Sequence, residues 1–190
     1  MEHDRIRIHF TSNREEIPGI LKICLDHVVQ NTKNASPSPD TFSKIKWVIT
    51  ELLTNAVKHS GTRDCTLNIK VDNNRLFLEK EDRGNPLSLI GQDTGKIFTW
   101  PIKGFTNRVE FQIYHNGVDS LIVRSDDAHS AKFYVKEMTG PDMPRLLNDS
   151  SEHFGLLILT KASHEFYYEY DAETQTNRFT SVFLFAEKTG

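Results

Sequence analysis

Glu51 and Asn55 carry side chains suited to magnesium-nucleotide chemistry, and they stand four positions apart in the chain. On a helix this spacing places both groups on one face. An amide oxygen is a hard, neutral ligand of the kind that magnesium takes beside substrate phosphates. A glutamate one turn earlier can accept a proton from a hydroxyl within hydrogen-bond reach. The other interpretation is that the two residues form the polar rim of an ordinary helix, and the pair alone fits both.

A helix that would carry this pair is indicated by apolar residues at the spacing of one helical face. These residues are Ile45, Val48, Ile49, Leu52, Leu53, Ala56 and Val57. Asp40 or Thr41 can cap the start of the helix, and Gly61 is typical of its end. Lys58 and His59 fall in the last turn, where they either help to bind phosphate or complement the negative end of the helix.

A second candidate group follows a predicted strand that leads into Asp82-Arg83-Gly84. A carboxylate at a strand end can accept a hydrogen bond from an exocyclic amine such as that of adenine, and a glycine lets the backbone approach a flat ring. The alternative is a plain turn, because these residue types, with the Asn and Pro that follow, form turns in any protein.

In this order and separation, the two segments resemble the nucleotide-binding boxes of the GHKL superfamily of ATPases, which includes DNA gyrase, histidine kinases and heat-shock chaperones. The run from Glu51 to His59 is most similar to the small anti-sigma-factor serine kinases. The resemblance covers about residues 4–90 and 153–187. It implies an α+β fold, a two-layer sandwich in which a mixed β-sheet carries helices on one face.

The resemblance also implies roles for individual residues. Glu51 would be the catalytic base, Asn55 the magnesium ligand and Asp82 the group that binds the adenine amine, with Gly84 allowing the close approach. Lys58 and His59 are candidate phosphate-binding groups that would lie beside the nucleotide. These roles imply ATP and Mg²⁺ as cofactors.

Two further positions match the family pattern nearer the end of the chain. Gly155 stands where a helix opens after the lid over the phosphates, with its amides able to bind anions. Here it is the single glycine where relatives have two, and the bulky Phe154 beside it reduces the backbone freedom that a moving lid requires. Thr180 matches a residue that reaches adenine through water, although threonine is also a good strand former.

The domain organisation is predicted as one domain over residues 1–190, with a β-rich insertion in the lid region at about 92–150. Apolar alternation within the insertion predicts three strands that form a small sheet. These lie near Val109–Ile113, Leu121–Val123 and Ala131–Val135. After the insertion the pattern predicts a helix at 155–162 and strands at 165–170 and 178–186.

Composition restricts the class of partner. The net charge of -3 provides no basic field for nucleic acid or an anionic membrane, and no long apolar run indicates a membrane span. Only two cysteines occur, Cys24 and Cys65, and both are predicted to be buried, reduced thiols. The sequence therefore predicts a cytoplasmic protein without nucleic-acid or membrane partners.

The function that the resemblance implies is that of an ATP-binding regulatory protein similar to an anti-sigma-factor serine-protein kinase. Such a protein binds ATP and ADP, phosphorylates an anti-anti-sigma partner, sequesters a sigma factor and can form a homodimer. The alternative is a degenerate module that binds a protein partner with little or no ATP turnover, which the single lid glycine and the long insertion favour. A histidine-kinase domain is disfavoured because no helical hairpin bearing a phosphoacceptor histidine is present.

Overall fold

The computed structural model describes residues 4–32, 37–72, 74–137 and 150–185. Within these ranges the chain forms ten strands and three α-helices. The strands are β1 (Arg5–Thr11), β2 (Asp64–Asp72), β3 (Arg75–Asp82), β4 (Ser88–Ile90), β5 (Ile97–Thr99), β6 (Val109–His115), β7 (Asp119–Ser125), β8 (Ser130–Glu137), β9 (Glu165–Asp171) and β10 (Thr176–Leu184). The helices are α1 (Ile17–Asn31), α2 (Pro39–His59) and α3 (Ser150–Ala162), and a 3₁₀ turn at Arg14–Glu16 precedes α1.

Helix α2 forms as its apolar spacing predicts. Six of the seven apolar residues of the predicted face are buried, the exception being the half-buried Val57. The cap is Ser38, whose hydroxyl accepts a hydrogen bond from the Thr41 N–H at 3.1 Å, so the prediction of Asp40 or Thr41 as the cap was wrong. Gly61 follows the helix with a φ of 64°, a left-handed conformation that glycine adopts without strain.

The predicted two-layer α+β sandwich with a mixed sheet is wrong. Eight strands form one sheet in the order β1-β2-β3-β10-β9-β8-β7-β6, and every pairing in it is antiparallel. Strands account for more of the described chain than helices do, so the fold is mostly β. Parallel neighbours require crossover connections, whereas most neighbouring strands in this sheet are joined by short turns.

The strands predicted within the lid insertion are present as β6, β7 and β8. They do not form a separate small sheet, because Ser130–Phe133 of β8 pairs with the 166–169 stretch of β9. The three strands therefore extend the main sheet. Within the described ranges, only β4 and β5 form a separate two-stranded ribbon. Residues 138–149 of the predicted insertion lie outside the described residues.

The boundaries of the C-terminal elements also differ from the predicted ones. Helix α3 begins at Ser150 rather than at Gly155, and β10 ends at Leu184. Ala186, the predicted last residue of that strand, is outside the described ranges.

One hydrophobic core connects the helices to the sheet. Helix α1 contacts β1 and β2, α2 contacts β3, and α3 contacts β6, β8 and β9 as well as α2. Cys24 and Cys65 are free thiols inside this core, as predicted, and burial raises the pKa of Cys24 to about 12. No helix in the described part of the chain has the length and apolar character needed to cross a membrane.

Candidate functional site

A pocket of about 230 Å³ opens where α2, α3, β3 and β10 meet. Its walls are mostly apolar, with polar groups placed among them, which is the usual composition of a small-molecule site. Three of the predicted site residues, Asn55, His59 and Asp82, line it. The remaining lining residues are Leu52, Lys80, Asn85, Pro86, Leu87, Ser88, Leu89, His153, Leu156, Leu159, Asn177 and Phe179.

Asp82 is the buried polar centre of the pocket, at the last position of β3, and its side chain is 3% exposed. Its Oδ1 accepts hydrogen bonds from the Gly84 N–H at 2.8 Å and from Asn177 Nδ2 at 3.0 Å. Its Oδ2 is paired with the Lys80 ammonium. The carboxylate is thus held by internal donors on both oxygens, with Oδ2 carrying fewer of them.

Lys80 was not predicted as a site residue, although the sequence contained the necessary signal. Alternate residues of a strand point to the same face, so the residue two positions before Asp82 must share its side of the sheet. Lys80 is 4% exposed, and its ammonium also lies 4.9 Å from the centroid of the Phe179 ring. The pocket therefore contains a buried lysine–aspartate pair rather than an isolated carboxylate.

Asn177 connects Asp82 to the loop that forms one wall of the pocket. Besides Asp82, its Nδ2 donates to the carbonyl oxygens of Gly84 at 3.1 Å and Asn85 at 3.2 Å. Its Oδ1 accepts from the Tyr168 hydroxyl at 2.6 Å, and that hydroxyl accepts from the Leu87 N–H at 3.1 Å. Burial raises the pKa of Tyr168, so the phenol stays protonated and can donate to Asn177.

Gly84 is placed by contact with the end of α2. A Cβ built on Gly84 would lie 1.5 Å from the carbonyl oxygen of Ser60, the residue that caps this helix. Only a residue without a side chain permits this approach. Gly84 does not line the pocket, but it brings the C-terminal end of α2 against the end of β3, where Asp82 lies.

Glu51 faces helix α3. A Cβ built on Gly155 would lie 2.2 Å from Glu51 Oε1 and 3.6 Å from Asn55 Nδ2, so the α3 backbone packs directly on these two side chains. Glu51 is half-buried and is not among the residues that line the pocket. Asn55, one turn later, both lines the pocket and borders this helix contact.

Gly155 does not open a helix, as the family resemblance had implied. The amide groups that are free to bind anions are those of the first turn of a helix. Five residues of α3 precede Gly155, so its N–H lies beyond that turn. Its structural role is the close approach of α3 to α2.

The structure does not bring Lys58 and Thr180 to the pocket. Lys58 is exposed on α2 and is not among the lining residues. Thr180 is the register partner of Glu79 and alternates with Phe179, so its side chain is on the other face of the sheet. There it lines a separate depression with Arg5 and Lys70.

Asn55 and Glu51 are the candidate metal-binding residues at or near the pocket. In the described ranges there is no group of three or more His, Cys, Asp or Glu residues that could hold an ion. Magnesium bound to substrate phosphates needs only one or two protein oxygens. Asn55, with Glu51 one turn earlier, can supply them.

The volume of the pocket limits what it can enclose. At about 230 Å³ it is smaller than the roughly 300–1,000 Å³ of sites for drug-sized ligands. A flat aromatic ring fits a space of this size, whereas a larger ligand would extend beyond it. Neither models of known protein families nor curated proteins matched this chain when it was compared with them.

Proposed function

We propose that this chain is a cytoplasmic regulatory protein that binds an adenine nucleotide with Mg²⁺ in the pocket between α2 and β3. The observation that carries the proposal is that Asn55, His59 and Asp82 line one pocket. An adenine ring would enter between the apolar walls, with its amine directed at Asp82. The nucleotide would act as a ligand that controls binding of a protein partner.

The charge distribution supports binding of an uncharged nucleobase at the inner end of the pocket. The Lys80 ammonium and the Asp82 carboxylate neutralise each other there. The outer end carries Asn55, which can supply an amide oxygen to magnesium, and His59, whose ring can donate a hydrogen bond to phosphate. The base and the phosphates are thereby assigned to opposite ends of the same pocket.

Replacing Asn55 by alanine tests this assignment. We expect isothermal calorimetry to show that Asn55→Ala binds Mg·ATP about tenfold or more weakly than the wild type, because it loses a ligand of the ion. Without magnesium the two proteins should bind ATP with similar affinity.

Thr54→Ala is the matched control, since Thr54 is equally half-buried on α2 but its hydroxyl bonds to the Thr50 carbonyl within the helix. We expect it to bind Mg·ATP like the wild type. The proposal fails if the wild type binds neither ATP nor ADP at millimolar concentration, or if Thr54→Ala weakens binding as much as Asn55→Ala.

A serine-protein kinase acting on an anti-anti-sigma partner is the second candidate. It is favoured by the position of Glu51 one turn from Asn55, with its carboxylate at the contact between the two helices. In this mechanism Glu51 accepts the proton of the partner's serine hydroxyl as the γ-phosphoryl group is transferred. Because the α3 backbone at Gly155 packs against Glu51 Oε1, a movement of α3 would open this side of the carboxylate to the hydroxyl.

Phosphoryl transfer distinguishes the two candidates. With labelled ATP and the candidate anti-anti-sigma protein of the same genome, a kinase would label the partner, and Glu51→Gln would reduce the rate by about 100-fold or more. Affinity for Mg·ATP should change little in this variant. Unchanged labelling by Glu51→Gln would exclude Glu51 as the base, and binding without any labelling would favour the module with little turnover.

A further inference from the structure

We propose that Lys80 is a second base-recognition residue, which donates a hydrogen bond to a ring acceptor beside the amine that Asp82 binds. The inference rests on the proposed nucleotide function. It adds Lys80 as a contact residue and specifies the edge of the nucleobase that the pocket recognises. It is carried by the placement of a buried ammonium group on the pocket wall next to a carboxylate oxygen.

The ammonium of Lys80 has unused hydrogen-bonding capacity. It has three N–H donors, and one of them is used by Asp82 Oδ2. The Phe179 ring, 4.9 Å away, occupies a second direction with its π-face. Among the described residues the ammonium makes no other hydrogen bond. Because the side chain is only 5% exposed, the third N–H of the ammonium can be satisfied only by a hydrogen-bond acceptor inside the pocket.

The carboxylate of Asp82 has unused capacity on the same side. Each carboxylate oxygen can accept about two hydrogen bonds. Gly84 and Asn177 already supply two to Oδ1, whereas Lys80 supplies one to Oδ2. One acceptor position on Oδ2 thus remains beside the free donor of Lys80.

A neighbouring donor and acceptor are complementary to a base edge that carries an acceptor next to an N–H group. Adenine has such an edge at N1 and its 6-amine, and a 6-oxopurine has one at its 6-oxygen and N1–H. A carboxylate alone would leave adenine N1 facing an apolar pocket without a donor, which is unfavourable. Lys80 supplies that donor.

Nucleotides lacking one ring acceptor test the contact on the wild-type protein. We expect 1-deaza-ATP, in which N1 is replaced by C–H, to bind about tenfold or more weakly than ATP in calorimetry. The control is 7-deaza-ATP, which lacks N7, the ring nitrogen on the other side of the 6-amine, and should bind like ATP. GTP distinguishes the two possible acceptors. Tighter binding of GTP than of ATP would indicate that Lys80 donates to the 6-oxygen of a 6-oxopurine rather than to adenine N1.

The variant Lys80→Met keeps most of the length of the side chain and removes its donors. We expect the ratio of affinities for ATP and 1-deaza-ATP to fall to about one in this variant. Equal binding of ATP and 1-deaza-ATP by the wild type, without a preference for GTP, would overturn the role of Lys80 and leave nucleotide binding intact. An unchanged ratio in Lys80→Met would also overturn it. Absence of binding by all four nucleotides would overturn the proposed function itself.

Discussion

Replacement of Asp82 by asparagine is expected to lower the free energy of unfolding by about 3–5 kcal/mol, because it leaves a buried ammonium without its counter-charge. The Lys80 and Asp82 side chains are 5% and 3% exposed, so water does not take over the lost interaction. Asparagine keeps an oxygen that can accept from Gly84 and Asn177, which confines the loss to the charge and to the hydrogen bond that Lys80 donates to Oδ2. Urea denaturation followed by circular dichroism measures the change.

A second lysine–aspartate pair with the same spacing provides the control. Lys70 and Asp72 lie on β2, and their side chains are 51% and 47% exposed. Asp72→Asn should therefore change the unfolding free energy by less than about 1 kcal/mol. Combining Asp82→Asn with Lys80→Met should restore much of the lost stability, because no unpaired charge remains. Equal effects of Asp82→Asn and Asp72→Asn would show that burial does not distinguish the pairs.

Replacement of Gly84 by alanine is expected to destabilise the protein by about 3 kcal/mol, at the upper end of the usual effect of overpacking. The new Cβ would meet the Ser60 carbonyl, which is backbone and cannot rotate aside as a side chain would. The end of α2 and the loop after β3 must then separate, and the Gly84 N–H moves away from Asp82. Thermal and urea denaturation measure the stability, and calorimetry should show weaker binding of Mg·ATP.

Gly19→Ala is the comparison for this variant. Gly19 lies in α1, and a Cβ there would have no atom within 4 Å. Alanine should stabilise the helix slightly, by about 0.5 kcal/mol, because it loses less backbone entropy than glycine on folding. If Gly84→Ala were as well tolerated as Gly19→Ala, the packing of α2 against Gly84 would not contribute to the fold.

Local features of the fold were predictable from the sequence, whereas the partners of the strands were not. The buried face of α2 follows from apolar spacing, and its end follows from Gly61, because both signals lie within a few residues of the feature they determine. Alternation predicts that 131–135 is a strand, but it does not indicate that this strand pairs with β9. The mixed, two-layer arrangement came from the family resemblance, and the antiparallel pairings overturn it.

The candidate site shows the same division. Asp82 and Asn55 were identified from local sequence, and Lys80 follows from the period of the strand that ends at Asp82. Asn177 has no local signal, because its contact with Asp82 depends on the pairing of β3 with β10. The face of Thr180 was equally undetermined, since a shift of register by one residue exchanges the two faces of a strand.

The pairing of β3 with β10 has a consequence for folding. It joins distant parts of the chain, and the two residues that meet in the pocket there, Asp82 and Asn177, are 95 positions apart. Closing a loop of this length carries an entropic cost that local hairpins avoid, so such contacts slow folding. The pocket therefore exists only in chains in which β3 has paired with β10. A ligand that binds only to the folded pocket would stabilise the paired strands against unfolding.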